Sequence, residues 1–342
     1  MLPPHDPAAA GGAAILAQGL GRSYGPVLGV RDIDLHVDTG AVVGLLGPNG
    51  SGKTTLIRML ATLLRPSAGQ ARVGGADLRT QPGEVRRHIG LTGQYAAVDQ
   101  FLTGRENIRM TARMLGMSRA DAGRRAEDLL GSFDLRDAAD RPLSTYSGGM
   151  RRRLDLALSL TGRPSIVFLD EPTTGLDPRS RFAMWTVIEG LVADGTTVLL
   201  STQYLEEADR LAERVVILDH GLVVAEGPPD ALRAQVGAHV VDLTLTDPAD
   251  GRAALDALAG LASAPVEHSP GSRELRVPVA GSEALPDVVR LLDAAGVRFR
   301  GLAVHEPSLD DVFLALTGRP APPPSGMTAP EKDPTMPPMV TT

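Results

Sequence analysis

Cysteine is absent from this chain, which excludes disulfides, thiolate metal sites and iron–sulfur clusters. Long apolar runs are absent too, since no stretch approaches the ~20 apolar residues of a membrane-spanning helix. Residues Met1 to Gly12 carry prolines and Asp6 where a secretory signal needs a positive start and an apolar run. Lysine occurs only at 53 and 332, so the basic residues are nearly all arginine, spread over the whole chain. The formal net charge of −7 argues against a large nucleic-acid footprint. These absences predict a soluble protein compatible with a reducing compartment, with any membrane role borrowed from a partner.

What remains is enough for one large domain and a smaller one: 342 residues, 43% of them apolar. Residues 1–12 read as a flexible leader. Residues 13–236 alternate short apolar strands with helical patterns, as in an α/β sheet. An accessory domain follows over 237–318, then a Pro-rich tail over 319–342, too polar to pack. In the accessory region Val241, Leu243 and Leu245 alternate with polar residues as in a half-buried strand. A helix near Arg252–Leu258, strands near Ala264–His268 and Glu274–Val279, a helix around Leu285–Leu292 and a strand over Val297–Val304 complete a βαββαβ order. That is the order of a ferredoxin-like α+β unit. A last helix is marked by a Ser308/Asp311 capping box and by Leu309, Val312, Phe313 and Leu316 at helical spacing. Its apolar stripe is expected to cover the small domain or a partner subunit.

The strand Val42-Val43-Gly44-Leu45-Leu46 runs directly into Gly47-Pro48-Asn49-Gly50-Ser51-Gly52-Lys53-Thr54, the complete G-x-x-x-x-G-K-[ST] pattern. Glycines let backbone N–H groups curl inward as a nest for phosphate oxygens. Lys53 brings a point charge to β- and γ-phosphates, and the Thr54 hydroxyl suits Mg²⁺. Thr55 begins a helix whose positive end faces the anion. Leu56, Met59, Leu60 and Leu63 share one face of that helix, and Arg65-Pro66 closes it. The loop alone says only nucleoside triphosphate.

A second apolar strand, Ile166–Leu169, ends in Asp170-Glu171-Pro172. In a parallel sheet the carboxyl ends of strands gather at the ligand side. Asp170 is then placed to hold Mg²⁺ and Glu171 to activate the attacking water.

Between these lies Tyr146-Ser147-Gly148-Gly149-Met150-Arg151-Arg152-Arg153-Leu154. Ser147 is a helix N-cap ahead of two bare glycines, which makes a second anion-ready helix end. The Arg151–Arg153 run reads as a helix face with ion pairs. The segment is similar to the signature of ABC ATPases, usually written LSGGQ. That resemblance implies an α/β fold, a P-loop ABC ATPase domain with a mixed sheet core and a helical subdomain. It also implies a head-to-tail homodimer of ATPase subunits, each signature (Ser147, Gly148, Gly149) closing over the other subunit's ATP. Other positions match in order. Tyr24 stands where the family stacks an aromatic on adenine, and Gln94 where a Gln touches Mg²⁺. Thr103 and Glu106 form a capping box at the start of the helical subdomain, and Gly175-Leu176-Asp177 matches the loop that couples the two ATP sites.

Two positions depart from the family pattern. Met150 replaces the usual Gln of the signature, and Gln203 stands where most members have a His that reaches the γ-phosphate. A Gln amide still donates a hydrogen bond there but takes up no proton, so base duty rests on Glu171. The strings around Ser147, Gln203 and Leu309 together resemble the daunorubicin-resistance type of drug-export ATPase, from about Leu20 to Gly318. This implies ATP and Mg²⁺ as ligands, a separate integral-membrane permease, and a peripheral place at the cytoplasmic face of the membrane. No contact with the exported substrate or with nucleic acid is expected. The competing readings are a soluble ABC ATPase acting on ribosomes or DNA, against which one module and acidic balance argue, and a silent regulatory module, against which Lys53, Asp170 and Glu171 argue. The accessory domain fits a dimer clamp, a permease dock or a ligand sensor equally well.

Overall fold

Two long strands, β1 (Ala13–Tyr24) and β2 (Val27–Asp38), precede β3 (Val42–Leu46) and helix α1 (Lys53–Leu60). Next come β4 (Ala68–Val73), β5 (Ala76–Asp77), α2 (Pro82–His88) and β6 (Ile89–Thr92). Helices α3 (Gly104–Met114), α4 (Arg119–Ser132) and α5 (Gly148–Ser159) lead to β7 (Ile166–Asp170). Then follow α6 (Pro178–Ala193), β8 (Thr197–Thr202), α7 (Leu205–Leu211), β9 (Arg214–Asp219), β10 (Leu222–Gly227) and α8 (Pro229–Val236). This computed structural model describes residues 12–25, 27–93, 98–236, 239–263, 265–269, 271–305 and 308–317. Residues 1–11 of the leader expected over 1–12, and the tail expected over 319–342, lie outside those residues.

The central sheet has the order β10-β9-β3-β8-β7-β6, parallel throughout except for the antiparallel β9–β10 hairpin. It is the expected mixed sheet. Strands β3, β7 and β8 are buried at every position because both faces are covered. Val42 and Leu46 point into one core cluster, Val43 and Leu45 into the other, and Val167/Leu169 and Ile166/Phe168 divide in the same way. One cluster is completed by α4 and α5, the other by α1 and the antiparallel sheet β2-β1-β4-β5. Helix α3 opens with the predicted capping box of Thr103 and Glu106. Spacing predicts α1 running through Leu63 to Arg65-Pro66; instead the chain turns at Thr62, left-handed at φ 63°, and leaves Leu63 exposed.

The accessory region forms β11 (His239–Leu245), α9 (Gly251–Leu258), β12 (Glu267–His268), β13 (Glu274–Val279), α10 (Leu285–Ala294) and β14 (Phe299–His305). Its antiparallel sheet runs β12-β13-β11-β14, so the βαββαβ order is present. Val241, Leu243 and Leu245 meet Leu275, Val277, Val279, Leu258 and Leu292 in a core of their own. The final helix, α11 (Leu309–Thr317), keeps its Ser308/Asp311 capping box but corrects the expectation about its stripe. Leu309, Val312 and Phe313 join the cluster of the first module, where α11 packs on α7 and α8 beside Leu205, Ala208, Leu211 and Leu232. Those apolar side chains would otherwise face water, so α11 covers the first module and not the small sheet. Leu316 stays exposed. Among the described residues no helix is long and apolar enough to cross a membrane.

Candidate functional site

Strand register brings three loops to one edge of the central sheet. Leu46, the last residue of β3, lies opposite Thr202 of β8, and Asp170 of β7 lies opposite Ser201. The phosphate loop, the acidic pair and Gln203 therefore leave neighbouring strands side by side, at the carboxyl ends where α/β sheets bind ligands.

The loop needs its glycines. Gly50 and Gly52 sit at φ 83° and 107°, and Gly47 at 157°. A Cβ on Gly47 would lie 2.2 Å from the Leu218 carbonyl oxygen, and one on Gly52 2.4 Å from Val30 Cγ1, so the backbone approach admits no side chain. Asn49 and Gly50 are exposed at the tip, Pro48 and Thr55 are half-buried, and Ser51 is buried. The Ser51 hydroxyl has no hydrogen-bond partner among the described residues, as suits a group waiting for a phosphate oxygen. Lys53 is buried, and its Nζ donates to the carbonyls of Gly47 (2.7 Å) and Pro48 (3.1 Å). Its ammonium lies 3.8 Å from the Glu171 carboxylate. Burial pushes the Lys53 pKa below the ordinary lysine value, while Glu171 and Asp170 pull it back up.

Asp170 and Glu171 are both buried yet have different partners. Asp170 Oδ1 accepts from Thr54 Oγ1 at 3.0 Å and from Ser201 Oγ at 2.6 Å. Glu171 takes a left-handed φ of 52°, strained for a residue with a Cβ. Its backbone N–H donates to Ser201, and its Oε2 accepts from Thr174 at 3.2 Å. Asp170 thus faces Thr54 and Glu171 faces Lys53. The hydroxyl–carboxylate pair of Thr54 and Asp170 is a hard-oxygen donor set of the kind that Mg²⁺ takes.

Several supporting residues are not visible from spacing alone. Ser201 ties both acidic residues to β8. The expected ion pairs are present at Arg152 (Asp155, 3.5 Å) and Arg153 (Asp134, 3.5 Å), but Arg152 is buried and also donates to the carbonyls of Gly93, Asp170, Glu171 and Pro172. The available signal was its place in α5, three residues after Gly149 and four before Leu156, on a side of the helix that turns inward. Tyr24, at the end of β1, is half exposed with the Arg22 guanidinium 5.0 Å over its ring. A Cβ on Gly29 would touch both Tyr24 Cε2 (2.9 Å) and Thr55 Cγ2 (3.3 Å), so the ring stands beside the start of α1. Gln203 is half-buried, and Gln94 lies outside the described residues.

The signature forms a different wall. Ser147 caps α5 by accepting from the Met150 N–H at 3.2 Å, and both Ser147 and Gly148 are exposed. Gly149 is buried against Ser180, whose Oγ a Cβ there would approach to 2.5 Å. Met150 packs on the core. Asp177 caps α6 by accepting from the Ser180 N–H (3.0 Å) and Oγ (2.6 Å), bonds that hold its carboxyl below its ordinary pKa. Helix α5 packs on α3, α4, α6 and β6, whereas α1 packs on β2, β7 and β8. The two anion-ready helix ends belong to separate parts of the module.

Comparison with known proteins agrees with this fold. Residues 30–174 match the model of the ABC transporter family, and residues 227–317 match that of the ATP-binding protein DrrA1-3-like C-terminal domain. The daunorubicin resistance ATP-binding protein DrrA2 of Streptomyces coeruleorubidus is 48% identical over 308 residues, covering 90% of this chain and 96% of that one. The doxorubicin resistance ATP-binding protein DrrA of Mycobacterium tuberculosis (strain H37Rv) is 42% identical over 316 residues, 90% of this chain and 94% of its own. Among solved structures, a dimeric bacterial ABC transporter cassette superposes with a TM-score of 0.57 at 26% identity, over 63% of this chain and 98% of that one.

Proposed function

The chain belongs to the ABC transporter ATP-binding proteins of the daunorubicin-resistance type, and from that membership we propose that it hydrolyses ATP between two copies of itself to drive export of a hydrophobic drug through a separate membrane permease. The observation that carries the catalytic part is the cluster of buried Lys53, Asp170 and Glu171 with half-buried Thr54 under the glycine loop. Such a concentration of buried charge is costly unless a ligand uses it.

In this reading the backbone of Gly47–Gly52 and the Ser51 hydroxyl hold phosphate oxygens, and Lys53 turns from its own loop's carbonyls toward the β- and γ-phosphates. Thr54 and Asp170 would hold Mg²⁺, with Gln94 as a further ligand. When bound, that ion neutralises charge on the β- and γ-oxygens. Glu171 accepts the proton of the attacking water, kept in place by Thr174 and by the Ser201 anchor on its backbone. Gln203 donates to the γ-phosphate, and Tyr24 stacks on adenine. The partner copy's Ser147–Gly149 closes over the nucleotide, with Asp177 coupling the two sites. Closure on ATP and opening after hydrolysis is then a ligand-driven population shift passed to the permease at the cytoplasmic face of the membrane.

The test is phosphate release by the purified chain, followed by ATP-dependent accumulation of daunorubicin in inverted vesicles carrying its permease. Hydrolysis is expected in the first assay and uptake only with both subunits in the second. A chain that binds Mg-ATP without turnover refutes the enzyme; turnover with no uptake refutes daunorubicin as the cargo.

A further inference from the structure

Glu207 is 0% exposed and plays no part in the chemistry above. It lies in the first turn of α7, four residues after Gln203. Its Oε1 accepts from Thr173 Oγ1 at 2.9 Å and from Trp185 Nε1 at 3.1 Å. Thr173 follows Glu171 by two residues and is itself fully buried, and Trp185 sits two turns into α6, whose first residues follow Asp177. One carboxyl therefore joins the chain leaving Glu171, the helix that begins at Asp177, and the helix that begins after Gln203. A second link runs parallel to it: the Arg181 guanidinium of α6 lies 5.1 Å over the ring of Tyr204, the neighbour of Gln203, and 4.0 Å from Glu206.

Packing alone does not account for a carboxyl there. Its neighbours on α7, Leu205, Ala208 and Leu211, are buried and apolar, and an apolar side chain of similar volume commonly fills such a space at no loss of stability. Burial also pushes the Glu207 pKa above the ordinary glutamate value, which favours the neutral acid. The group is thus retained at a cost, and what it provides is directional: two donors from two segments fixed to one oxygen.

We propose that Glu207 is a positioning residue that ties the Gln203 loop to the Asp177 loop and to the chain after Glu171, so that γ-phosphate contact and inter-subunit coupling move as one unit. The inference rests on the ATPase reading but asks a separate question of it. In Glu207→Gln one acceptor oxygen remains for Thr173 and Trp185; in Glu207→Ala the tie is gone. The expected result is that Glu207→Ala lowers kcat about tenfold or more while Mg-ATP affinity, by equilibrium dialysis, stays within about twofold. Glu207→Gln recovers at least half of the wild-type rate. Trp185 is the single tryptophan of the chain, so its emission reports on this seam: Mg-ATP shifts it in wild type and in Glu207→Gln but not in Glu207→Ala. Should Glu207→Ala fail to fold, Thr173→Val removes one donor at nearly constant volume and is expected to lower kcat with affinity unchanged. A wild-type rate in Glu207→Ala or in Thr173→Val overturns the proposal, as does a Glu207→Gln enzyme as slow as the alanine variant. Absence of hydrolysis in the wild type would instead count against the ATPase reading itself.

Discussion

Two helices of this molecule begin with glycines and an N-terminus ready for an anion, and their surroundings differ sharply. At α1 the cap is Gly52, no side chain among the described residues satisfies the first N–H groups, and Lys53, Asp170 and Glu171 are buried around it. At α5 the cap is Ser147, already engaged with the Met150 N–H, and the cap and Gly148 are exposed, the buried Arg152 and Asp155 of the same helix lying one to two turns further on. In the proposed reading the first end is a nearly complete binding site, and the second is a surface. On that reading the second end acquires its walls from another molecule, in keeping with the pairing of the dimeric cassette that resembles this chain. The contrast teaches that chemistry and completion are divided between the two ends.

The sharpest test acts on the complete end. Glu171→Gln keeps the shape of the side chain and its contact with Thr174 but removes the proton acceptor. Hydrolysis is expected to fall by about 10²–10⁴-fold, with nucleotide still bound. Light scattering at saturating Mg-ATP should then show dimers, because the closed state no longer decays. Monomers under those conditions would mean that the α5 surface completes nothing.

The next test acts on the exposed end. A Cβ at Gly149 runs into Ser180, so Gly149→Ala displaces the start of α5 relative to α6 without touching the phosphate loop. Mg-ATP affinity of the separate subunit is expected to stay unchanged while hydrolysis drops by about tenfold or more. Mixing decides between the two ends directly. A Lys53→Ala chain and a Gly149→Ala chain are each expected to hydrolyse ATP slowly alone, yet a mixed dimer contains one site with an intact loop and an intact signature. Recovered phosphate release on mixing supports sites shared between subunits; no recovery places both ends in one chain's own site.

The same contrast explains what was legible in the sequence. The phosphate loop, the caps at Thr103 and Ser147, and the strand ending at Asp170 are local patterns, and each is found where spacing puts it. The βαββαβ order was legible for the same reason. Contacts made across the sheet were not: Ser201 reads as the polar end of a strand until register sets it opposite Asp170. Arg152 reads as one of three arginines until the end of β7 supplies carbonyls for its guanidinium. The stripe on α11 announced that it covers something, but its partner depends on how the chain returns to α7 and α8, which periodicity does not encode.

A milder perturbation sharpens the sensing role. Gln203→Ala removes one amide beside the acidic pair, and a lost hydrogen bond of about 0.5–1.5 kcal/mol lowers hydrolysis roughly 2- to 13-fold. Equal rates for the variant and wild type would remove Gln203 from the γ-phosphate.

The smallest expected effect concerns the cap itself. Ser147→Ala removes the acceptor of the Met150 N–H and is expected to cost about 1 kcal/mol of stability in thermal or denaturant unfolding, the usual value of an N-cap. If the hydroxyl serves only α5, hydrolysis should follow stability, and Ser147→Asn, which caps equally well, should restore both. If the hydroxyl also reaches the partner's nucleotide, Ser147→Asn restores stability while hydrolysis stays low. The second pattern is the one expected of an exposed helix end whose walls belong to another subunit, since a longer side chain at that surface blocks close approach even when it satisfies the helix.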